Sequence, residues 1–237
     1  MNRIGIETRG INSWRERLAN PDKHWKRRYS AFETAVSWET ASRTVSGLPA
    51  PIERLLVAGG FLDPTLLIAL AEHKVDLPGG AASSQSDVWA LVRTSAGIAS
   101  IAVEAKAQEA FGDDALDSWL LAGQTDDAKT NRALRWDHVR SHLPIAQSYT
   151  RVRYQMLHRC AAAVIEAKRF GLKHAAFIVQ AFGSPETSFE DYAIFCDALG
   201  IPAGRGSFAV SQVDDIVLGI GWADCAFATD REIAAVA

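Results

Sequence analysis

Two short β-rich runs with almost nothing between them constrain this chain more than any other feature. "DVWALVR", from residue 87, and "IASIAVEAKA", from residue 98, are rich in β-branched, aromatic and small apolar residues, and a Ser/Ala/Gly stretch joins them. They read as a hairpin. If the loop is Ser95–Ala96, directly opposed residues have numbers summing to 191, and Asp87 faces Glu104. A two-residue slip puts Asp87 opposite Lys106 on the same face, whereas a one-residue slip sends it to the far face.

Alternation along the second run places Ile101, Val103 and Ala105 on one face and Ala102, Glu104 and Lys106 on the other. A strand apolar enough to lie inside a domain therefore points a carboxylate and an ammonium the same way. Two carboxylates held as close as Asp87 and Glu104 repel, and in a dry site one protonates unless a cation sits between them. Mg²⁺ takes oxygen ligands, usually a few carboxylates, a main-chain carbonyl and several waters. Asp87, Glu104 and the carbonyl of Ala105 supply such a set. Lys106 cannot ligate the ion, but it can orient or help deprotonate a water, or neutralise charge developing on a phosphate. The plain alternative is an edge-strand ion pair beside a turn aspartate.

The rest of the chain reads as α/β. Residues 11–58 look helical in pieces: "SWRERLAN" stops at Asn20-Pro21, "SAFETAVSWETASRTV" begins with a Ser30/Glu33 capping box, and "PAPIERLLVAGG" runs from prolines to glycines. "DPTLLIALAEHKV" opens on Asp63-Pro64 as a helix would. Residues 113–142 form a polar helical region broken near Gly123. "YTRVRYQMLHRCAAAVIEAKRFG" is the strongest helix, with a Gly C-cap, and "KHAAFIVQAFG" and "DDIVLGIGWAD" are buried strands. Residues 1–60 are expected to form a helical extension packed on a 61–237 core with a mixed sheet.

Composition excludes several classes. The chain is 48% hydrophobic and 22% charged, which is ordinary for a globular protein, and no apolar run approaches the roughly 20 residues that span a bilayer. The N-terminus has no signal-peptide h-region, and Cys160, Cys196 and Cys225 stand at no metal or redox spacing, so a cytoplasmic protein without membrane contact is expected. Net charge is −3, yet residues 1–54 hold ten Lys and Arg against six Asp and Glu. "KHWKRRY" concentrates that excess and makes Lys26, Arg27 and Arg28 candidate phosphate contacts, against a solvated basic face.

Asp87, a spacer of 16 residues, and then Glu104-Ala105-Lys106 at the end of a buried strand resemble the PD-(D/E)XK nuclease superfamily. Ser86 stands where the motif's name has proline. "EHKV", "VEAK" and "RYQMLHR" are further similar to patterns in a bacterial branch of that superfamily. The resemblance implies a restriction-endonuclease-like fold, with a mixed β-sheet core flanked by helices and an N-terminal helical cap. It implies Mg²⁺, with Mn²⁺ as a substitute, bound by Asp87 and Glu104, and Lys106 acting at the water. Glu72 takes the place of an additional acidic ligand on the preceding helix or first strand. On the following helix Arg151, Gln155, His158 and Arg159 share one polar stripe, from which Gln155 or Arg159 reaches the water or phosphate; Arg153 is a further phosphate contact. The expected substrate is nucleic acid, DNA before RNA, cut by a possible homodimer in a role such as bacterial defence. A non-catalytic scaffold of the same fold and a hydrolase of small phosphorylated molecules are the alternatives.

Other motifs carry less. Glu109 reads as a solvated residue or a support for the site. His138 and His142 have the i,i+4 spacing of a zinc pair but no third ligand, "GRGS" and "GIGW" are not nucleotide loops, and no G-x-S-x-G elbow occurs.

Overall fold

The computed structural model describes residues 8–112, 114–145 and 149–237. Its centre is one six-stranded mixed sheet in the order β1-β2-β3-β4-β6-β5. The strands are β1 (Thr65–Val75), β2 (Ser84–Thr94), β3 (Gly97–Lys106), β4 (His174–Phe182), β5 (Phe208–Val213) and β6 (Ile216–Cys225). β1, β2 and β3 form an antiparallel meander, β4 and β6 join parallel, and β5 closes the far edge antiparallel to β6. No helix among the described residues is long and apolar enough to cross a membrane.

Each face of the inner strands is buried under its own helical layer, and alternation along the strands divides them. Val88, Val92, Ile101, Val103 and Ile178 point to a core built with α3 (Ser30–Ala41) and α4 (Ala50–Ala58). Ala102, Phe177, Val179, Ile220 and Trp222 point to the other, with α6 (Asp126–Arg140), α7 (Tyr154–Phe170) and α8 (Glu186–Ala198). The N-terminal helices therefore share a core with the sheet. α7 carries the chain between the parallel strands β3 and β4, which demand such a crossover. Gly171 ends it in the left-handed conformation, φ 67°, that a side chain disfavours.

The hairpin has the register expected from a Ser95–Ala96 loop: Thr94 pairs with Gly97 and Val88 with Val103. Four other expectations need correction. "TLLIALAEHKV" is strand β1, because its pairing with β2 outweighs the Asp-Pro start signal. Asn20 begins a helix, α2 (Pro21–His24), by accepting from the Lys23 N–H, after a first helix of one turn, α1 (Asn12–Arg15). The Ser30/Glu33 capping box is absent: Tyr29 is the N-cap of α3, and Glu33 instead accepts from the backbone N–H groups of Arg28 and Ala228. The long helix begins at Tyr154, so Arg151 and Arg153 precede it. The strand β5 and the helix α9 (Asp230–Val236) complete the fold, the latter with a Thr229/Glu232 capping box. The polar region after β3 is α5 (Leu116–Leu121) followed by α6.

Candidate active site

The strand registers bring three acids into one row. Asp87 precedes Val88, whose partner is Val103, so it sits across from Glu104; on its other side, Ala71 pairs with Val88 and His73 with Ser86, so it sits across from Glu72. Their neighbours Ala71, Val88 and Val103 face the α3/α4 core, which turns all three acids toward α7. Glu72 is held at φ 54° in the middle of β1, a conformation that costs a non-glycine residue about 1–3 kcal/mol and gathers at functional positions.

Glu104 is 2% exposed and fully engaged. Oε1 accepts from Lys106 Nζ at 2.7 Å and from Gln155 Nε2 at 2.6 Å, and Oε2 accepts from Arg159 Nε at 2.9 Å. Burial alone would raise its pKa, but Lys106 and Arg159 hold it below the ordinary value. Burial would likewise lower that of Lys106, and Glu104 and Asp87 outweigh it and hold it above the ordinary value. Lys106 is therefore a protonated donor, its ammonium 5.0 Å from the ring centre of Phe111.

Asp87 is the opposite case. Burial, Glu104 and Glu72 push its pKa well above the ordinary value, against Lys106 and a 2.6 Å hydrogen bond from the Ala105 N–H to Oδ2. Burial also raises Glu72, which accepts from Gln85 Nε2 at 2.6 Å. Three acids thus face two bases, Lys106 and Arg159, and the row keeps an excess of negative charge that a proton or a cation relieves.

α7 supplies the donors because it crosses β3 with its first two turns over Glu104. Gln155 is oriented by Gly112, whose N–H donates to Oε1 at 2.7 Å, leaving the amide nitrogen for Glu104. Arg159 also donates from Nη1 to Ser84 Oγ at 3.3 Å, and Ser84 lies 2.8 Å from His158 Nδ1. Burial together with Arg159 and Arg135 keeps His158 well below its ordinary pKa, hence neutral. Ser84 escaped sequence reasoning because a serine opening a strand has no signal of its own. Arg135 escaped too: it is buried, donating to the carbonyls of Pro78 and Gly80 in the β1–β2 connection.

The remaining candidates stand apart from the acids. Arg151 is exposed and precedes α7, and Arg153 is paired with Asp191 at 3.0 Å. Arg27 pairs with Asp230, the Arg28 guanidinium lies over Phe227, and Lys26 lies over Tyr29. The end of this basic run nonetheless meets the loop after β3, where the Ser30 N–H donates to Glu109 Oε1 at 3.1 Å. Glu109 is thus half-buried, and the solvated reading of it is corrected. His142, just past the end of α6, has Nδ1 2.8 Å from the His138 carbonyl oxygen.

Among the described residues no group of three or more His, Cys, Asp and Glu side chains is disposed to hold a metal ion. The reason is local: both oxygens of Glu104 are turned to Lys106, Gln155 and Arg159. The donor chemistry nevertheless suits a hard divalent cation, because Asp87, Glu104 and Glu72 are oxygen donors in one row, in which Asp87 and Glu72 are disfavoured as anions.

Fold and site together define an α/β protein in which a β-meander on one side of the sheet and the crossover helix enclose an acid–base cluster. The chain belongs to the family described as a domain of unknown function, DUF6946, whose model matches residues 7–226. No curated protein and no solved structure matches it significantly.

Proposed function

We propose that this protein is a Mg²⁺-dependent nuclease of restriction-endonuclease-like fold that hydrolyses phosphodiester bonds, DNA being the favoured substrate. The observation that carries the reading is the row of Glu72, Asp87 and Glu104 with Lys106 beside it, at the end of a meander followed by a crossover helix and a parallel strand. Asp87 and Glu104, with Glu72 and the Ala105 carbonyl, would hold Mg²⁺ or Mn²⁺, which supplies Lewis-acid polarisation of a phosphate oxygen and a water of lowered pKa.

The chain's own residues divide the remaining work. Lys106, protonated, orients the attacking water and neutralises charge on the phosphate; its raised pKa disfavours a role as general base. Gln155, fixed by Gly112, and Arg159, braced by Ser84, provide donors at the same spot. Lys26, Arg27 and Arg28, adjoining the loop after β3, together with Arg151 and Arg153 are assigned to the nucleic-acid backbone, which positions without specifying sequence.

One observation favours a second reading, a non-catalytic scaffold of the same fold: Glu104 is saturated by internal donors. Cleavage of circular and linear DNA, with Mg²⁺ and with EDTA, separates the two. The nuclease reading expects Mg²⁺-dependent product from the wild type and none from Glu104→Ala or Lys106→Ala. Equal product from all three proteins would end it, and turnover confined to small phosphate esters would replace DNA as the substrate.

A further inference from the structure

On the face of the sheet opposite the acids, a cavity of about 410 Å³ opens between α3, the start of α4 and the segment joining β6 to α9. That volume lies within the range of small-molecule pockets. Phe182, Cys225 and Phe227 form its apolar wall, and the same three side chains pack against Ala105 and Ala107, behind the strand that carries Glu104 and Lys106. The floor is fixed: the fully buried Gln180 donates to Ser37 Oγ and accepts from Trp38 Nε1, both at 3.1 Å.

The charge of the lining is one-sided. Glu33, Glu53 and Glu232 line the cavity, and no Lys, Arg or His does; outside the lining the Arg28 guanidinium lies over the Phe227 ring and the Arg54 charge acts on the Cys225 thiol. Glu33 spends both oxygens on backbone N–H groups, but Glu53 uses only Oε2, on Ser46, and Glu232 only Oε2, on Thr229. Their Oε1 atoms have no hydrogen bond among the described residues. The start of α4 offers an anion little, since Pro51 at its second position has no N–H. A cleft lined by one sign of charge with apolar walls concentrates the opposite charge.

We propose that this cavity binds a small apolar molecule carrying one amine, its ammonium facing Glu53 and Glu232 and its hydrocarbon part against Phe182 and Phe227. The site is independent of the nuclease reading. It is tested by NMR titration of the full chain with phenethylamine, phenylpropionate and phenylethanol, probes of similar size and different charge. The amine is expected to give saturable shifts at the Ser37, Cys225 and Phe227 amides and to bind about tenfold more tightly than the acid. Glu53→Gln and Glu232→Gln, the second of which preserves the capping box with Thr229, should each weaken the amine about three- to tenfold and leave the folded spectrum intact. Shifts of equal strength with all three probes, no shifts at these amides, or unchanged amine affinity in both variants would overturn the assignment.

Discussion

Lys106 Nζ lies 2.7 Å from Glu104 Oε1, so two charges standing two residues apart on one strand neutralise each other where both are buried. The pair is not closed, because Arg159 reaches the second oxygen at 2.9 Å. Removing the carboxylate strands two cations. Glu104→Ala is expected to cost about 3–5 kcal/mol in urea unfolding, and Glu104→Gln less, because it keeps hydrogen-bonding capacity.

Asp87 gives the site its pH dependence. Its pKa in the fold is raised, so the stabilising contribution of its proton is fully present below the unfolded value and is lost as pH rises through the folded value. Asp87→Asn keeps an acceptor for the Ala105 N–H and removes the charge. Its melting temperature should exceed that of the wild type at alkaline pH, with the gap closing on acidification. A gap independent of pH would remove burial and like-charge repulsion as the cause.

The internal ion pair competes with any cation for Glu104. Lys106→Met, which keeps the apolar stem and deletes the ammonium, should bind Mn²⁺ about tenfold more tightly than the wild type in a calorimetric titration and cleave no DNA. Tighter binding with lost turnover is a combination that general damage to the fold does not produce.

Gln155 and Arg159 act through geometry. Gln155→Ala leaves the Gly112 N–H without its acceptor and removes one of the two donors on Glu104 Oε1, and Arg159→Lys removes the fork that spans Glu104 and Ser84. Each should lower turnover about 10–100-fold with smaller effects on stability, as read from single-turnover cleavage beside urea unfolding.

The acid row was legible because hairpin pairing follows from alternation and loop length, both of which are local. Asp87, Glu104 and Lys106 were found on that basis, and the family resemblance supplied Glu72 and Gln155. β1 was not legible as a strand: "TLLIALAEHKV" has apolar residues enough for a helix or a strand, and pairing with β2 decides between them. Glu33 forms a helix-start pattern with Ser30, yet its carboxylate joins Arg28 to Ala228, a contact across 195 positions that no local signal encodes. Ser84 and Arg135 were invisible for the same reason, since the groups they touch belong to distant segments.

Calorimetric titration of Mn²⁺ into the wild type and into Asp87→Asn tests the central claim most directly. A single ion bound per wild-type chain, with the heat abolished in the variant, is the predicted result. No heat from the wild type, or equal affinity in both proteins, would contradict it.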